Sequence, residues 1–229
     1  LRSANEASNG VAEYVDGSIE EFTKHMTARA KELGCKNTNF LTANGLHDEN
    51  HYTTAYDIAL IAKAFFSNET LTKMSSTTRF DVPVMDTQTR EGIILTAKSL
   101  LHPGKTYAYD ALIGTKTGYT DYARQTLVSC AEKNGMKLIC VILKEESPAQ
   151  YTDTIELFDY GFENFTPITL DEVDTEYSID NQFFTTDIDL LGSSKTILSL
   201  DKNAKGIDYK NAYKPMAKEF AGLKQLNSA

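Results

Sequence analysis

Apolar residues recur at helical spacing along much of the chain. Phe22, Met26, Ala30 and Leu33 form one stripe, so residues 19–33 are predicted as a helix. Ser18-Ile19-Glu20-Glu21 precedes it as a capping box, and Gly34 follows as its stop. Upstream, Ser3-Ala4-Asn5 reads as a loop entering a short helix over 6–15, stopped by Gly17. Thr54 caps a third helix, with Asp57 in its first turn and Ile58, Ile61, Ala62 and Phe65 on its apolar face. A short helix is expected around Leu71 to Ser75. The Ser147-Pro148 step opens another, with Tyr151, Ile155, Phe158 and Phe162 buried, ending near Phe165 with Pro167 as the break. Residues 35–52 read as irregular, turn-forming chain.

The period changes in between. Residues 124–131 and 136–143 flank Asn134-Gly135, a strong two-residue hairpin turn. That turn sets Cys130 opposite Ile139 and Cys140 opposite Ser129, with the two cysteines on opposite faces and no disulfide between them. Both strands are apolar on both faces, so the sheet should be covered on each side. Phe80-Asp81-Val82 and Gly92-Ile93-Ile94-Leu95 are further candidate strands. The fold class is α/β (α+β): helices packed on both faces of a mainly antiparallel sheet. Beyond Pro167 the pattern shifts to short alternating segments, Thr175–Ile179 and Lys195–Leu200, with a weak amphipathic helix at 213–226. Residues 1–165 are therefore expected as one domain and 166–229 as a small β-rich one.

Composition narrows the function classes. A formal net charge of −9 argues against broad nucleic-acid binding, which needs a basic surface. No apolar run approaches a membrane span. Cys35, Cys130 and Cys140 make neither a disulfide framework nor a metal spacing, and read as small buried residues. His47 and His51 are four apart on a loop with no third ligand, so no metal or cofactor is expected. The chain opens at Leu1-Arg2 without Met or signal segment, as a processed product or fragment would.

The chemistry concentrates in Ile113-Gly114-Thr115-Lys116-Thr117-Gly118-Tyr119-Thr120. A strand with glycines at its edge lets a ligand lie against the backbone. Lys116 adds a cation and Thr117 a hydroxyl, which together suit a carboxylate. The same residues could also form an ordinary turn-rich strand with a solvated lysine. Ser3-Ala4-Asn5 could likewise be a helix cap.

Taken in order, Ser3-Ala4-Asn5 and, 113 positions later, Lys116-Thr117-Gly118 resemble the motif set of penicillin-binding proteins. The chain is similar to the low-molecular-weight members, the serine-type D-alanyl-D-alanine carboxypeptidases. Asn37-Thr38-Asn39-Phe40, Gly45-Leu46, Tyr52–Ala59 and Asp159-Tyr160-Gly161-Phe162 extend the resemblance over roughly residues 1 to 165. It implies a β-lactamase/transpeptidase-like fold and acyl transfer through a serine nucleophile. It implies that Ser3 relays a proton, Asn5 holds the substrate, and Lys116 and Thr117 bind its terminal carboxylate. Thr115 and Gly118 complete the substrate strand, and the Tyr119 N–H donates to the oxyanion. The implied partners are peptidoglycan stem peptides and β-lactam antibiotics, outside the cytoplasm.

Two departures stand out. In the family an S-x-x-K nucleophile motif precedes the others. Here that spacing occurs at Ser199-Leu200-Asp201-Lys202, after the lysine motif and in the β-rich segment. The expectation is that this chain alone lacks its nucleophile and is inactive, and that a missing N-terminal segment or a second copy completes the fold. The second departure follows the hairpin, where relatives often carry glycine and a basic residue. Here stand Lys144-Glu145-Glu146, two acids near the expected carboxylate site. A class A-like β-lactamase remains an alternative, for which Glu69 and Glu91 offer no recognisable deacylation context. A non-catalytic wall-binding relative is another.

Overall fold

A computed structural model describes residues 1–84, 92–169 and 197–201. Two compact units divide between Tyr160 and Gly161. The first begins with α1 (Asn5–Asp16) and α2 (Ile19–Glu32), packed on each other. Gly17 ends α1 in the left-handed conformation at φ 78, which glycine adopts without a Cβ penalty. Ser18 caps α2 by accepting the Glu21 N–H at 3.2 Å. The reciprocal half of the expected capping box is replaced by an ion pair, since the Glu21 carboxylate takes Lys24 at 2.8 Å. Ala30 and Leu33 are buried as the stripe predicts, with Thr23 buried beside them, while Phe22 and Met26 are half-buried.

Residues 35–54 cross to α3 (Ala55–Phe66), which Thr54 caps through the Asp57 N–H at 3.1 Å. A single antiparallel bridge, Asn39 to Tyr52, organises this otherwise irregular stretch. Its anchor is Asp57, only 1% exposed. One carboxylate oxygen accepts the Asn37 N–H and the Thr38 hydroxyl, both at 2.7 Å. An acid expected to serve the helix dipole therefore pins the loop to the helix. α4 (Glu69–Ser76) follows, then a ribbon of β1 (Arg79–Val82) and β2 (Ile93–Thr96).

The central sheet has the order β3 (Leu112–Thr120), β4 (Arg124–Lys133), β5 (Met136–Glu145), all antiparallel. Asn134 and Gly135 turn at φ 53 and 76, the pair of positive values that suits a two-residue hairpin. Cys130 faces Ile139 and Cys140 faces Ser129, as the turn predicts. The three cysteines are buried free thiols, and burial pushes Cys130 and Cys140 each up to about 11.

Helices cover both faces. α5 (Ala149–Asn164) lays Tyr151 and Ile155 against Leu101, Leu127 and Ile142. Thr154 lies 3.9 Å from the Cys140 thiol on the same face. On the other face α3 and α4 come so close that a Cβ on Gly114 would lie 2.2 Å from Ser75 Oγ and 2.9 Å from Phe66 Cε1. The loop between β2 and β3 folds toward α5 through Tyr107 on Tyr151 and Tyr109 on Phe158, with ring centroids 5.3 and 5.4 Å apart. α5 begins one residue after Pro148 rather than at it. No helix among the described residues is long and apolar enough to cross a membrane.

The second unit contains β6 (Phe165–Thr169) and β7 (Ile197–Asp201), an antiparallel pair. Pro167, expected only to break the helix, sits inside β6 opposite Ser199. Within the described residues this ribbon has two strands, so each is an edge, where proline is tolerated. The expected segment at 175–179 and helix at 213–226 lie outside the described residues.

Candidate active site

β3 has one strand neighbour among the described residues, so one of its sides is an open edge. Its register has a bulge. Leu112 pairs with Ala131, but Gly114 pairs with Cys130, leaving Ile113 as the extra residue. The bulge sorts the side chains that follow. Thr115 and Thr117 fall opposite Ser129 and Leu127, on the α5 face, while Gly114, Lys116 and Gly118 fall opposite Cys130, Val128 and Thr126, on the α4 face.

The site residues are therefore not equivalent. Thr115 is 6% exposed; its hydroxyl donates to the Val128 carbonyl at 3.1 Å and lies 3.0 Å from Ser129 Oγ. It fastens β3 to β4 from within. Gly118 has its own steric reason, since a Cβ there would lie 2.4 Å from Thr126 Oγ1. Lys116 is an exposed residue whose ammonium folds back to donate to the Thr117 carbonyl. Its stem is exposed, but desolvation of the folded-back ammonium, then the charge of Lys98, lowers its pKa from the ordinary lysine value. Lys98 is thus a second cation at this edge, and the sequence carries no pattern that marks it.

Residues 1–5 approach the same place. Leu1 lies within reach of the charges of Lys116 and Lys98. Ser3 is exposed and held at φ 56, a left-handed conformation that disfavours a non-glycine residue by about 1–2 kcal/mol. Neither Ser3 nor Asn5 caps α1. The N-cap position belongs to Ala4, with no side-chain cap hydrogen bond. The cap explanation for this motif therefore fails, and Ser3 and Asn5 stand at the entrance of α1, with Leu1 the residue that nears Lys116 and Lys98. A cavity of about 390 Å³ lies along α1, lined by Ala4, Ala7, Ser8, Val11, Phe22 and Ala43. Its apolar lining does not suit a carboxylate.

At the far end of β3, Arg124, which no sequence motif marks, joins Tyr119 and Glu146 in one cluster. Arg124 makes two 2.8 Å bonds to the Glu146 carboxylate, through Nε and one terminal nitrogen. Its other terminal nitrogen donates to Tyr119 Oη at 3.2 Å. Continuing the hairpin register out from Asn134-Gly135 sets Arg124 opposite Glu145, so the sequence did hold a signal. A bulge between Gln125 and Leu127 shifts the true partner by one residue. Tyr122, at the turn, stacks on His47 with centroids 3.9 Å apart, tying the hairpin to the 35–54 loop. His51 Nδ1 accepts the N–H groups of Leu41 and Thr42 at 3.1 and 3.2 Å, a structural role. No group of three or more His, Cys, Asp or Glu among the described residues gathers as a metal site would.

Comparison with known proteins identifies the family. A D-alanyl-D-alanine carboxypeptidase from Bacillus subtilis, DacF, is 34% identical over 166 residues, covering 72% of this chain and 41% of that protein. Penicillin binding protein 5 from Haemophilus influenzae superposes with a TM-score of 0.64 at 30% identity, over 73% of this chain and 46% of that one. Penicillin-binding protein D2 from Listeria monocytogenes, solved in a cefotaxime-bound form, gives 0.59 at 27% identity, over 70% of this chain and 62% of that one. The chain spans about two fifths to just over half the length of the curated relatives it matches. Residues 1–147 match the peptidase S11 family, D-alanyl-D-alanine carboxypeptidase, and with its helices, sheet and motif order in place the chain belongs to that family.

Proposed function

We propose that this chain is the body of a serine-type D-Ala-D-Ala carboxypeptidase that trims peptidoglycan stem peptides through an acyl-enzyme. The observation that carries this is the open β3 edge, with Lys116 between Gly114 and Gly118 on one face of the strand. An extended peptide pairs along that edge, and its terminal carboxylate meets Lys116 and the Thr117 hydroxyl. A serine Oγ attacks the carbonyl carbon of the penultimate D-alanine. The C–N bond breaks, and the terminal D-alanine leaves with a proton relayed through Ser3. Asn5 holds the peptide backbone, and the Tyr119 N–H stabilises the oxyanion. Gly118 keeps the edge free of a side chain, and Thr115 braces the strand. Water then releases the shortened peptide and restores the serine.

The attacking serine is assigned to no described residue. The S-x-x-K spacing at Ser199 begins on β7, a strand, whereas the family's motif opens a helix. A segment of the same polypeptide or a second copy brings that serine to Lys116. Exposed Val11, Tyr14 and Val15 on α1, beside the apolar cavity, support a covering partner there. β-Lactams acylate the same serine, in line with the cefotaxime form of the Listeria relative. Residues 166–229 form the small β-rich domain, and the enzyme works outside the cytoplasm.

The test is to treat the full-length gene product with a fluorescent penicillin, map the adduct by mass spectrometry, and assay D-alanine release from an acyl-D-Ala-D-Ala peptide. One adduct on a serine other than Ser3 and Ser199, with D-alanine release, is expected. An adduct on either of those serines overturns the assignment of the nucleophile. No adduct and no release overturn the function.

A further inference from the structure

Three features converge where β4 begins and β5 ends. Arg124 and Lys144, neither a glycine, are left-handed at φ 54 and 56. Arg124 is clamped by both oxygens of Glu146 at 2.8 Å. The guanidinium also reaches Tyr119, bonding its hydroxyl and lying 5.7 Å from the ring centroid. Stability alone does not account for this arrangement. Both side chains are substantially exposed, and exposed ion pairs add little to folding. The left-handed backbone at Arg124 works against folding rather than for it.

Position supplies a better reason. Tyr119 follows Gly118 and shares a strand face with Thr117, about 7 Å away along the strand. The charges around it are Arg124, Glu146, Asp121, which accepts from Tyr119 Oη at 3.1 Å, Glu145, whose carboxylate takes the Glu146 N–H at 2.9 Å, and Lys144. Of these, Arg124 is the cation in contact with Tyr119, and Glu146 masks it.

We propose that the Arg124–Glu146 pair determines specificity at the β3 edge, setting how strongly it holds a substrate's C-terminal carboxylate. Glu146 damps the guanidinium's attraction, and Arg124 in turn cancels an acid that would repel the substrate. The two acids at the end of β5 thus leave the anion site intact because one is neutralised from the neighbouring strand. This rests on the carboxypeptidase function proposed above.

The experiment uses the full-length gene product with Glu146→Gln and Arg124→Gly variants. Glycine at 124 relieves the left-handed backbone while removing the charge, so loss of fold is not expected. Steady-state kinetics with an N-acyl-D-Ala-D-Ala peptide should show KM falling about 3- to 10-fold for E146Q and rising by a similar factor for R124G, the range expected of one charge at about 10 Å in a partly wet site. kcat should stay within about twofold, and the melting temperature of R124G should not drop. The same peptide amidated at its C-terminus should show no shift. Equilibrium binding of both peptides, followed by NMR, should give the same signs without turnover. KM or binding shifts in one direction for both variants, no shift, or shifts that persist with the amide, overturn the proposal. A wild type that neither reacts with penicillin nor releases D-alanine overturns the carboxypeptidase function instead, and the binding signs still decide the role of the pair.

Discussion

At the residue scale, the lysine of the edge strand sits in an environment that works against its own charge. Burial and the neighbouring Lys98 both favour the neutral amine, so Lys116 releases its proton below the ordinary lysine range. An anion held by this ammonium must therefore loosen as pH rises through that lowered value, while a site run by an ordinary lysine would hold on to higher pH. A titration of peptide affinity against pH should show this early loss. Lys98→Gln should move its midpoint upward, because one of the two causes is gone. A midpoint unmoved by K98Q would mean that Lys98 does not bear on the site. Lys116 stood out in the sequence from its glycine and threonine setting. Lys98 did not, because it lies on a loop after β2 and meets Lys116 only through the tertiary fold.

Elements were legible where local chemistry fixes them. Asn134-Gly135 admits one tight turn, and that turn alone sets the register that faces Cys130 with Ile139. Gly17 and the caps at Ser18 and Thr54 set the boundaries of the first three helices for the same reason. Pro167 was misplaced because a proline ends a helix equally well by starting an edge strand. The deepest reason for Gly114 was also hidden, because it lies in α4 rather than in the strand. Its hydrogen faces Ser75 and Phe66, so the helices rest directly on the β3 backbone. Gly114→Ala is expected to destabilise the fold by about 1–3 kcal/mol in urea unfolding, through overpacking against backbone and helix. Ser75→Ala in the same chain should recover part of that loss, since it removes the nearest atom. Equal losses with and without S75A would place the strain elsewhere.

At the scale of the whole molecule, α3 is joined to the loop of residues 35–54 by one buried carboxylate. Burial alone would raise the pKa of Asp57. The Thr38 hydroxyl and the N–H groups of Asn37 and Lys36 outweigh that and hold it below the usual carboxylate range. Its stabilisation is therefore complete above the unfolded value of about 3.9 and disappears as pH falls through the lower folded value. Asp57→Ala should cost about 2–4 kcal/mol at neutral pH, because it orphans buried donors. The difference between wild type and D57A in denaturant midpoint should narrow below about pH 4. A constant gap down to pH 2 would show that the charge is not what the loop needs. None of this was legible, because an acid in the first turn of a helix is unremarkable until the loop that folds over it is seen.

The extra residue at Ile113 has a consequence for how length varies in this chain. Because Leu112 and Gly114 pair with neighbouring residues of β4, the ladder on either side of Ile113 is already continuous. Removing Ile113 leaves Lys116 opposite Val128 and still facing α4. Removing one residue between Gly114 and Gly118 would instead carry part of the motif to the α5 face, into the core. When this protein is aligned with others that differ by one residue here, the gap belongs at Ile113. A deletion there changes the bend of the strand and leaves the facing of its lysine as it is.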